Sequence, residues 1–284
     1  MCNEIERECL HSPDAAIAGA SAPVMVKDDN EYMAPLHLAG RLIMENGGET
    51  YRVEETITRM GHAFGFTEVE SFAVPSGIFI SYRKHDGSIE TAVKRVSRKG
   101  TDLTRVDAVN AVSRRMEAEH LSCEEVMALL KEIEHRPPKI TKLGLIAAVA
   151  MSSAGWAAMF GGGVMDCVVA FAVAFLSQTL AFALDKAGMR SFVSTLFGSF
   201  LGTILPMAFH LATGLLKVDM AVAACLMPML PGLAMTNAVQ DTMRGDMISG
   251  ISSATSAVLT ACMIAGGALV GSTLFRLLTG GGLL

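Results

Sequence analysis

One apolar segment, residues 227–241, contains the residue types best suited to binding a small substrate. Pro228, Pro231 and Gly232 lie within five residues there, and both residue types weaken a helix and leave backbone groups without helical partners. Inside a membrane such groups must face protein or a water-filled cavity, and interrupted helices form substrate sites in transporters. Pro231 and Gly232 are therefore candidate substrate contacts, with a packing kink as the alternative.

Asn237 and Asp241 follow this break four residues apart, so a helix would place them on one face. The Asp241 carboxylate could bind and release a proton or pair with a substrate ammonium, and the Asn237 amide could contact a substrate carboxylate. An aspartate at the bilayer centre costs about 2.5–3.5 kcal/mol, which makes it a candidate functional residue. The alternative is that Asp241 lies at the membrane interface beside Arg244 and Asp246, where ionisation costs little.

Two further polar residues lie in apolar segments. His210 follows Pro206 by four residues and so shares the face of a proline kink, where a neutral imidazole could relay protons. It could equally be an interfacial histidine near the end of its helix. Gln178 could hydrogen-bond a substrate, although a contact with a neighbouring helix is the more common role.

These residues lie in the half of the chain that carries almost no charge. Of 284 residues, the first 142 hold 18 of the 23 Lys and Arg and 23 of the 28 Asp and Glu. The second half contains uncharged runs at residues 143–165, 167–184, 191–216, 220–240 and 247–275. A helix needs about 20 apolar residues to cross a bilayer, so these runs predict five spans rather than buried helices of a soluble protein. The predicted fold class is an α-helical integral membrane protein, a five-span helix bundle, with an N-terminal α+β cytosolic domain.

Three regions follow from this pattern. Residues 1–32 are polar and predict a disordered tail, residues 33–136 predict a compact α+β domain, and residues 137–284 predict the membrane domain. Within the middle region, apolar residues show helical spacing over 36–43, 50–64, 103–116 and 126–133, and strand-like alternation over 69–93. The three regions therefore differ in composition and in the spacing of their apolar residues.

Single residues define some of the element ends in the α+β domain. Gly47 and Gly48 predict the end of the first helix, and Ser122 with Glu125 predicts a capping box for the last. Val126, Leu129 and Ile133 predict the buried face of that last helix. At helical spacing, Glu54, Glu55 and Arg59 predict ordinary surface pairs.

The remaining features limit the function classes. Basic residues are more frequent in the loops on the side of the α+β domain, which predicts that this domain is cytoplasmic and that the chain is a multi-pass protein of the plasma (inner) membrane. The six cysteines are scattered, and no phosphate-binding glycine loop or two-histidine zinc spacing is present. We therefore predict no enzyme, cofactor or metal, and the acidic domain predicts no nucleic-acid partner.

Two stretches resemble a known family. Residues 38–54, LAGRLIMENGGETYRVE, are similar to the opening motif of the threonine/serine exporter family. The Pro231-Gly232 break, then Asn237, Asp241 and the pair Gly245-Asp246, resemble its membrane signature. The resemblance covers roughly residues 35–278, and its second motif is the more specific.

This resemblance implies a secondary, proton-coupled exporter of threonine- and serine-type amino acids or of dicarboxylates such as succinate. Long family members carry a second hydrophobic domain, whereas this sequence ends at Leu284. The resemblance therefore implies the larger subunit of a split exporter, with a small membrane subunit or a second copy as partner. The alternative is a regulatory or enzymatic domain whose spans serve only as an anchor.

Overall fold

The computed structural model describes residues 29–97, 100–189 and 191–280. Its N-terminal domain packs helices around a small sheet, and the predicted helices and strands are confirmed. The elements are α1 (Met33–Glu45), α2 (Thr50–Ala63), β1 (Val69–Val74), β2 (Gly77–Arg83), β3 (Ile89–Arg95), α3 (Leu103–Glu119) and α4 (Cys123–His135). The predicted tail lies outside the described residues except for its end, where Asp29–Tyr32 form a 3-10 helix.

The sheet is antiparallel, with strand order β1-β2-β3. One face is buried against the helices because Ile78, Ile80 and Tyr82 alternate inward along β2. The other face stays exposed, with Phe72 opposite Phe79 and Phe79 opposite Val93. The domain core therefore lies on one side of the sheet, between β2 and the apolar faces of α1 to α4.

The predicted ends of two helices are present. Gly47 has φ +86°, a left-handed conformation that glycine adopts without steric cost, and it turns the chain from α1 into α2. Ser122 accepts a hydrogen bond from the amide of Glu125, whose carboxylate accepts one from the amide of Ser122. In α4, Leu130 takes the fully buried position that was expected for Leu129, which is only partly buried.

The second half of the chain forms the predicted helix bundle. Four of its helices are long and apolar enough to cross a membrane, and a bent pair makes a fifth candidate span. The helices are α5 (Lys142–Met159), α6 (Val164–Lys186), α7 (Ser191–Thr213), α8 (Val218–Leu226), α9 (Gly232–Met243) and α10 (Met247–Leu278). The chain is therefore a multi-pass membrane protein by the length and composition of its described helices.

Small residues allow the close packing of α7 against α10. Carbon added at Gly267 would overlap the Ser199 hydroxyl and the Leu196 carbonyl oxygen of α7. Carbon added at Gly271 would lie 3.1 Å from the carbonyl oxygen of Phe200. The two helices therefore approach with their backbones nearly in contact, as stripes of small residues permit in membranes.

A buried carboxylate fixes the start of two other helices. Asp166, which is 2% exposed, accepts the backbone amide of Gly163 at 2.7 Å and that of Lys217 at 2.8 Å. The first bond caps α6, and the second connects α6 to the residue that precedes α8. The broken span is thus held against α6 at the end that lies away from the N-terminal domain.

Candidate functional site

The fourth apolar run is interrupted where the sequence predicts it. Helix α8 continues into a 3-10 turn at Met227–Met229, the chain becomes extended at Leu230, and α9 begins at Gly232 after Pro231. The two halves are bent by 54°. We refer to residues 218–243 as the broken span. Its break exposes the first turn of α9, where backbone amides have no helical acceptor.

A cavity of about 390 Å³, which we call the interdomain cavity, lies at this break. Pro231, Gly232, Asn237 and Asp241 all line it, so four of the six predicted site residues meet in one place. Ser253 and Ser256 of α10 and residues 47–50 of the N-terminal domain complete its wall. The cavity is therefore built by both domains.

Asp241 contacts the N-terminal domain directly. Its side chain is 3% exposed, and the hydroxyl of Thr50 lies 3.0 Å from its Oδ1 atom. The same hydroxyl lies 3.1 Å from Oδ2 of Asp246. Asp241 is thus near Arg244 and Asp246, as the interfacial alternative expected, but protein rather than water surrounds it.

The turn after α9 brings the two aspartates together. Gly245 has φ +92°, and this left-handed residue lets the amide of Asp246 donate to the carbonyl of Asp241 at 3.0 Å. Asp246 then caps α10, because its Oδ1 accepts the amide of Ser249 at 3.2 Å. A residue with a side chain at position 245 would strain this turn.

Two further contacts join the domains, and a third supports them from within the N-terminal domain. The guanidinium of Arg244 lies 3.5 Å from the centroid of the Tyr51 ring, a cation–π arrangement. The Ser249 hydroxyl donates to the carbonyl of Ala73 at 3.3 Å, and the amide of Ala73 donates to Glu54 at 2.9 Å. The N-terminal domain is therefore docked on the α9–α10 turn by α2 and β1.

Glu54 does not form the predicted surface pair. It faces the docking contact, while Glu55 alone pairs with Arg59. Burial raises the pKa of Glu54, and the Asp246 and Asp241 carboxylates raise it further, against the opposing effect of the Ala73 amide. The spacing rule failed here because it considers one helix at a time and takes no account of a partner domain.

Glu49 lines the interdomain cavity beside Thr50, and the pKa of its carboxyl lies below the usual value. Burial raises the pKa of its carboxyl, but the hydrogen bond and charge of Arg52, with the charge of Arg244, outweigh burial and lower it. The Glu49–Arg52 contact is 2.9 Å. Glu49 and Asp241 therefore give the cavity an acidic lining.

His210 lines a second cavity, of about 680 Å³, which we call the distal cavity. This cavity lies between α7, α8 and α10, and Asp219 and Arg276 also line it. The Nδ1 atom of His210 is buried without a hydrogen-bond partner among the described residues. The structure therefore separates His210 from the other predicted site residues.

Gln178 lies half-buried in α6 and lines neither cavity. A larger groove of about 810 Å³ lies against α2 and the sheet, but two of its charged side chains, Glu55 and Arg59, neutralise each other. Within the described residues, no three His, Cys, Asp or Glu side chains are arranged to hold a metal ion. The interdomain cavity is therefore the stronger candidate site.

The residues that form this cavity lie within a stretch of the chain that matches a known family. Residues 36–275 match the family described as putative threonine/serine exporters. The chain belongs to the threonine/serine exporter family. Both motifs of this exporter-family chain, the one around Thr50 and the one around Asp241, thus meet at one contact.

Individual relatives resemble the exporter-family chain at low identity. A probable succinate transporter subunit, YjjP, from Klebsiella aerogenes is 25% identical over 74% of this chain and 80% of the relative. A probable threonine/serine exporter from Mycobacterium tuberculosis is 23% identical over 84% of this chain and 46% of the relative. The threonine/serine exporter of Corynebacterium glutamicum is 23% identical over 79% of this chain and 48% of the relative. The chain thus spans about half the length of the latter two, and no solved structure is significantly similar to it.

Sequence reasoning missed Thr50 as a site residue. The threonine stands inside the first family motif, at the start of a helix, where a hydroxyl ordinarily suggests a cap. The structure shows no side-chain cap there, because Glu49 is the N-cap residue and Thr50 points to the membrane domain. The available signal was that the two stretches that resemble family motifs lie in different domains of the chain.

Proposed function

We propose that this exporter-family chain is a subunit of a secondary, proton-coupled exporter of small metabolites across the plasma membrane. Its N-terminal domain faces the cytoplasm, and the interdomain cavity receives the substrate from that side. The observation that carries this proposal is the convergence of Pro231, Gly232, Asn237 and Asp241 on one cavity at the break of a span. Access then alternates around the broken span.

The cavity offers complementary groups to a small polar substrate. Amides of the first turn of α9 and the Asn237 side chain donate to a carboxylate, since a helix N-terminus carries partial positive charge. Asp241 accepts an ammonium group or carries the coupled proton. Asn237 and Asp241 are one helical turn apart, about 6 Å along the axis, which matches the length of a small amino acid.

The acidic lining favours amino acids over dicarboxylates. Glu49 and Asp241 line the interdomain cavity, and within the part of the chain that the structure describes no Lys or Arg lines it. The Asp241 carboxylate repels a dianion such as succinate and can pair with the ammonium of threonine or serine, whereas Glu49 is already paired with Arg52. We therefore propose a threonine- or serine-type substrate, with succinate as the competing candidate.

A small membrane subunit or a second copy of this chain completes the transporter in this proposal. Support comes from the relative that is named a transporter subunit and from the long exporters of which this chain matches about half. Co-expression with a candidate small membrane subunit, compared with expression of this chain alone, tests the requirement. Efflux of equal rate from the chain alone contradicts the need for a second subunit.

The test of the transport site is efflux of labelled threonine and succinate from cells or vesicles that contain Asp241→Asn. We expect loss of export with normal membrane insertion, because the amide retains the shape but neither carries the proton nor pairs with ammonium. Asp185→Asn is the matched control, since this exposed aspartate in the last turn of α6 also accepts a hydroxyl, from Ser194 at 3.3 Å, but lines neither cavity. Undiminished efflux by Asp241→Asn removes this residue from the mechanism.

The anchor alternative is tested by the same variant and not by deletion of the N-terminal domain. Residues 47–50 form part of the cavity wall, so deletion would destroy the site under either function. A domain that is merely anchored would not depend on the charge of Asp241. Loss of efflux on a single buried substitution therefore favours the transporter.

A further inference from the structure

The contact between Thr50 and two aspartates has one hydrogen atom too few to form two hydrogen bonds. The Thr50 hydroxyl carries one hydrogen and two lone pairs, yet it lies 3.0 Å from Asp241 and 3.1 Å from Asp246. It can donate to one carboxylate only. If both carboxylates were ionised, the second contact would bring an anionic oxygen against a hydroxyl lone pair, which is repulsive.

Neighbouring groups do not supply the missing hydrogen. The Ser249 amide donates to the other oxygen of Asp246. Arg244 lies over the Tyr51 ring and forms no salt bridge with either aspartate in the described structure. The other charged groups that face this contact, Glu49 and Glu54 on the α2 side, are acidic and favour uptake of a proton, whereas the positive charge of Arg244 opposes it.

We infer that Thr50 is a positioning residue of the transport site and that the docking of the N-terminal domain is a proton-dependent latch. One proton on the Asp241–Asp246 pair completes a chain in which a carboxyl group donates to Thr50 and Thr50 donates to the other carboxylate. This inference rests on the proposed function in taking the interdomain cavity as the transport site. It adds that the cytoplasmic domain controls access to that site.

Binding and release of one proton at the Asp241–Asp246 pair would close and open the latch. With the proton bound, both contacts of Thr50 are hydrogen bonds and residues 47–50 cover the cavity. When the proton leaves to solvent, one contact of Thr50 sets an anionic oxygen against a hydroxyl lone pair, and the added negative charge of the membrane domain faces Glu49 and Glu54 of the N-terminal domain in a poorly hydrated contact. The domain then separates from the α9–α10 turn, and the cavity opens to the cytoplasm.

The test measures cavity access without transport. Ser253→Cys places a thiol on the cavity wall, in the full-length protein with native cysteines replaced by alanine, reconstituted in lipid nanodiscs. A membrane-impermeant methanethiosulfonate labels this thiol between pH 5 and pH 8. Its rate is divided by the rate at Ile89→Cys, a 61% exposed position on β3 of the N-terminal domain, so that the pH dependence of thiol chemistry cancels.

We expect the normalised labelling rate to rise with pH, by at most about tenfold per pH unit because one proton is released. Thr50→Val gives a high rate that does not change with pH, and Thr50→Ser restores the wild-type profile. Thr56→Val is the matched control, because Thr56 is equally buried in α2 but contacts Asn110 inside the N-terminal domain. It keeps the wild-type profile.

Asp246→Asn provides a variant with the opposite outcome. The asparagine oxygen still caps α10, and its amide group donates to Thr50 without any added proton. The normalised rate is therefore low at every pH. A wild-type profile in Thr50→Val or in Asp246→Asn overturns the latch, as does a wild-type rate that follows sodium concentration instead of pH. Because labelling needs no substrate, a failure of the latch in this assay would not contradict the proposed transport function. That function is tested separately, by the efflux of labelled substrate.

Discussion

The close packing of α7 and α10 predicts that one added methyl group will destabilise the protein. Gly267→Ala would place its methyl carbon on the Ser199 hydroxyl and the Leu196 carbonyl oxygen, and 3.0 Å from the amide nitrogen of Phe200. Two of these three atoms belong to the backbone of α7, so the helices must separate. Overpacking of this kind costs about 1–3 kcal/mol, and rigid partners place it at the upper end. We expect a fall in melting temperature of roughly 6–10 °C in detergent.

The adjacent glycine supplies the control. A methyl carbon at Gly266 would meet only a side-chain atom of Leu196 at 3.7 Å, an ordinary contact. Gly271→Ala should fall between the two, since its nearest neighbour, the Phe200 carbonyl oxygen, lies at 3.1 Å. Heating followed by size-exclusion chromatography ranks the three variants. Equal melting temperatures for Gly267→Ala and Gly266→Ala would refute the described α7–α10 contact.

Substitutions at three other positions give further tests. Burial, and then the charge of Lys94, lowers the pKa of His37 in the folded protein. The free energy of unfolding should therefore fall as pH drops below about 6.5, where the unfolded chain binds a proton that the folded one does not. Denaturant titrations of the full chain measure this fall, and His37→Leu should abolish it. Asp166→Ala removes the acceptor of two backbone amides and should cost about 3 kcal/mol in the same assay, with Asp166→Asn costing less. Tyr51→Leu removes the ring under Arg244 and should weaken the docking of the N-terminal domain by about 0.5–1 kcal/mol. The measurement is hydrogen exchange in the α9–α10 turn, which should become faster. Tyr51→Phe keeps the ring and should leave the exchange rate unchanged.

The architecture was predictable because each signal lies within one stretch of chain. Lipid excludes charge, so five uncharged runs predicted five candidate spans, and Pro231 with Gly232 located the break. Helical and strand periods located the elements of the N-terminal domain for the same reason. The pattern did not reveal which face of a strand is covered, and Ile89 and Val93 are 61% and 60% exposed.

The docking contact was not predictable, because it joins residues far apart in sequence. Thr50 and Asp241 are separated by 191 positions, and neither local spacing nor composition relates them. Glu54 was assigned to a surface pair for the same reason, although it binds the Ala73 amide near the membrane domain. Each domain alone leaves polar groups unexplained, and only their apposition accounts for both motifs.

The length of α10 has a mechanical consequence. Its 32 residues contain no proline and extend about 48 Å, well beyond a hydrocarbon thickness of about 30 Å. Ser256 touches the interdomain cavity and Ser272 the distal cavity, roughly 24 Å apart on the same rod. The glycine contact with α7 at Gly267 and Gly271 adjoins Ser272 and lies far from Ser256. A tilt of α10 about this contact would therefore move the wall of the interdomain cavity much further than the wall of the distal cavity.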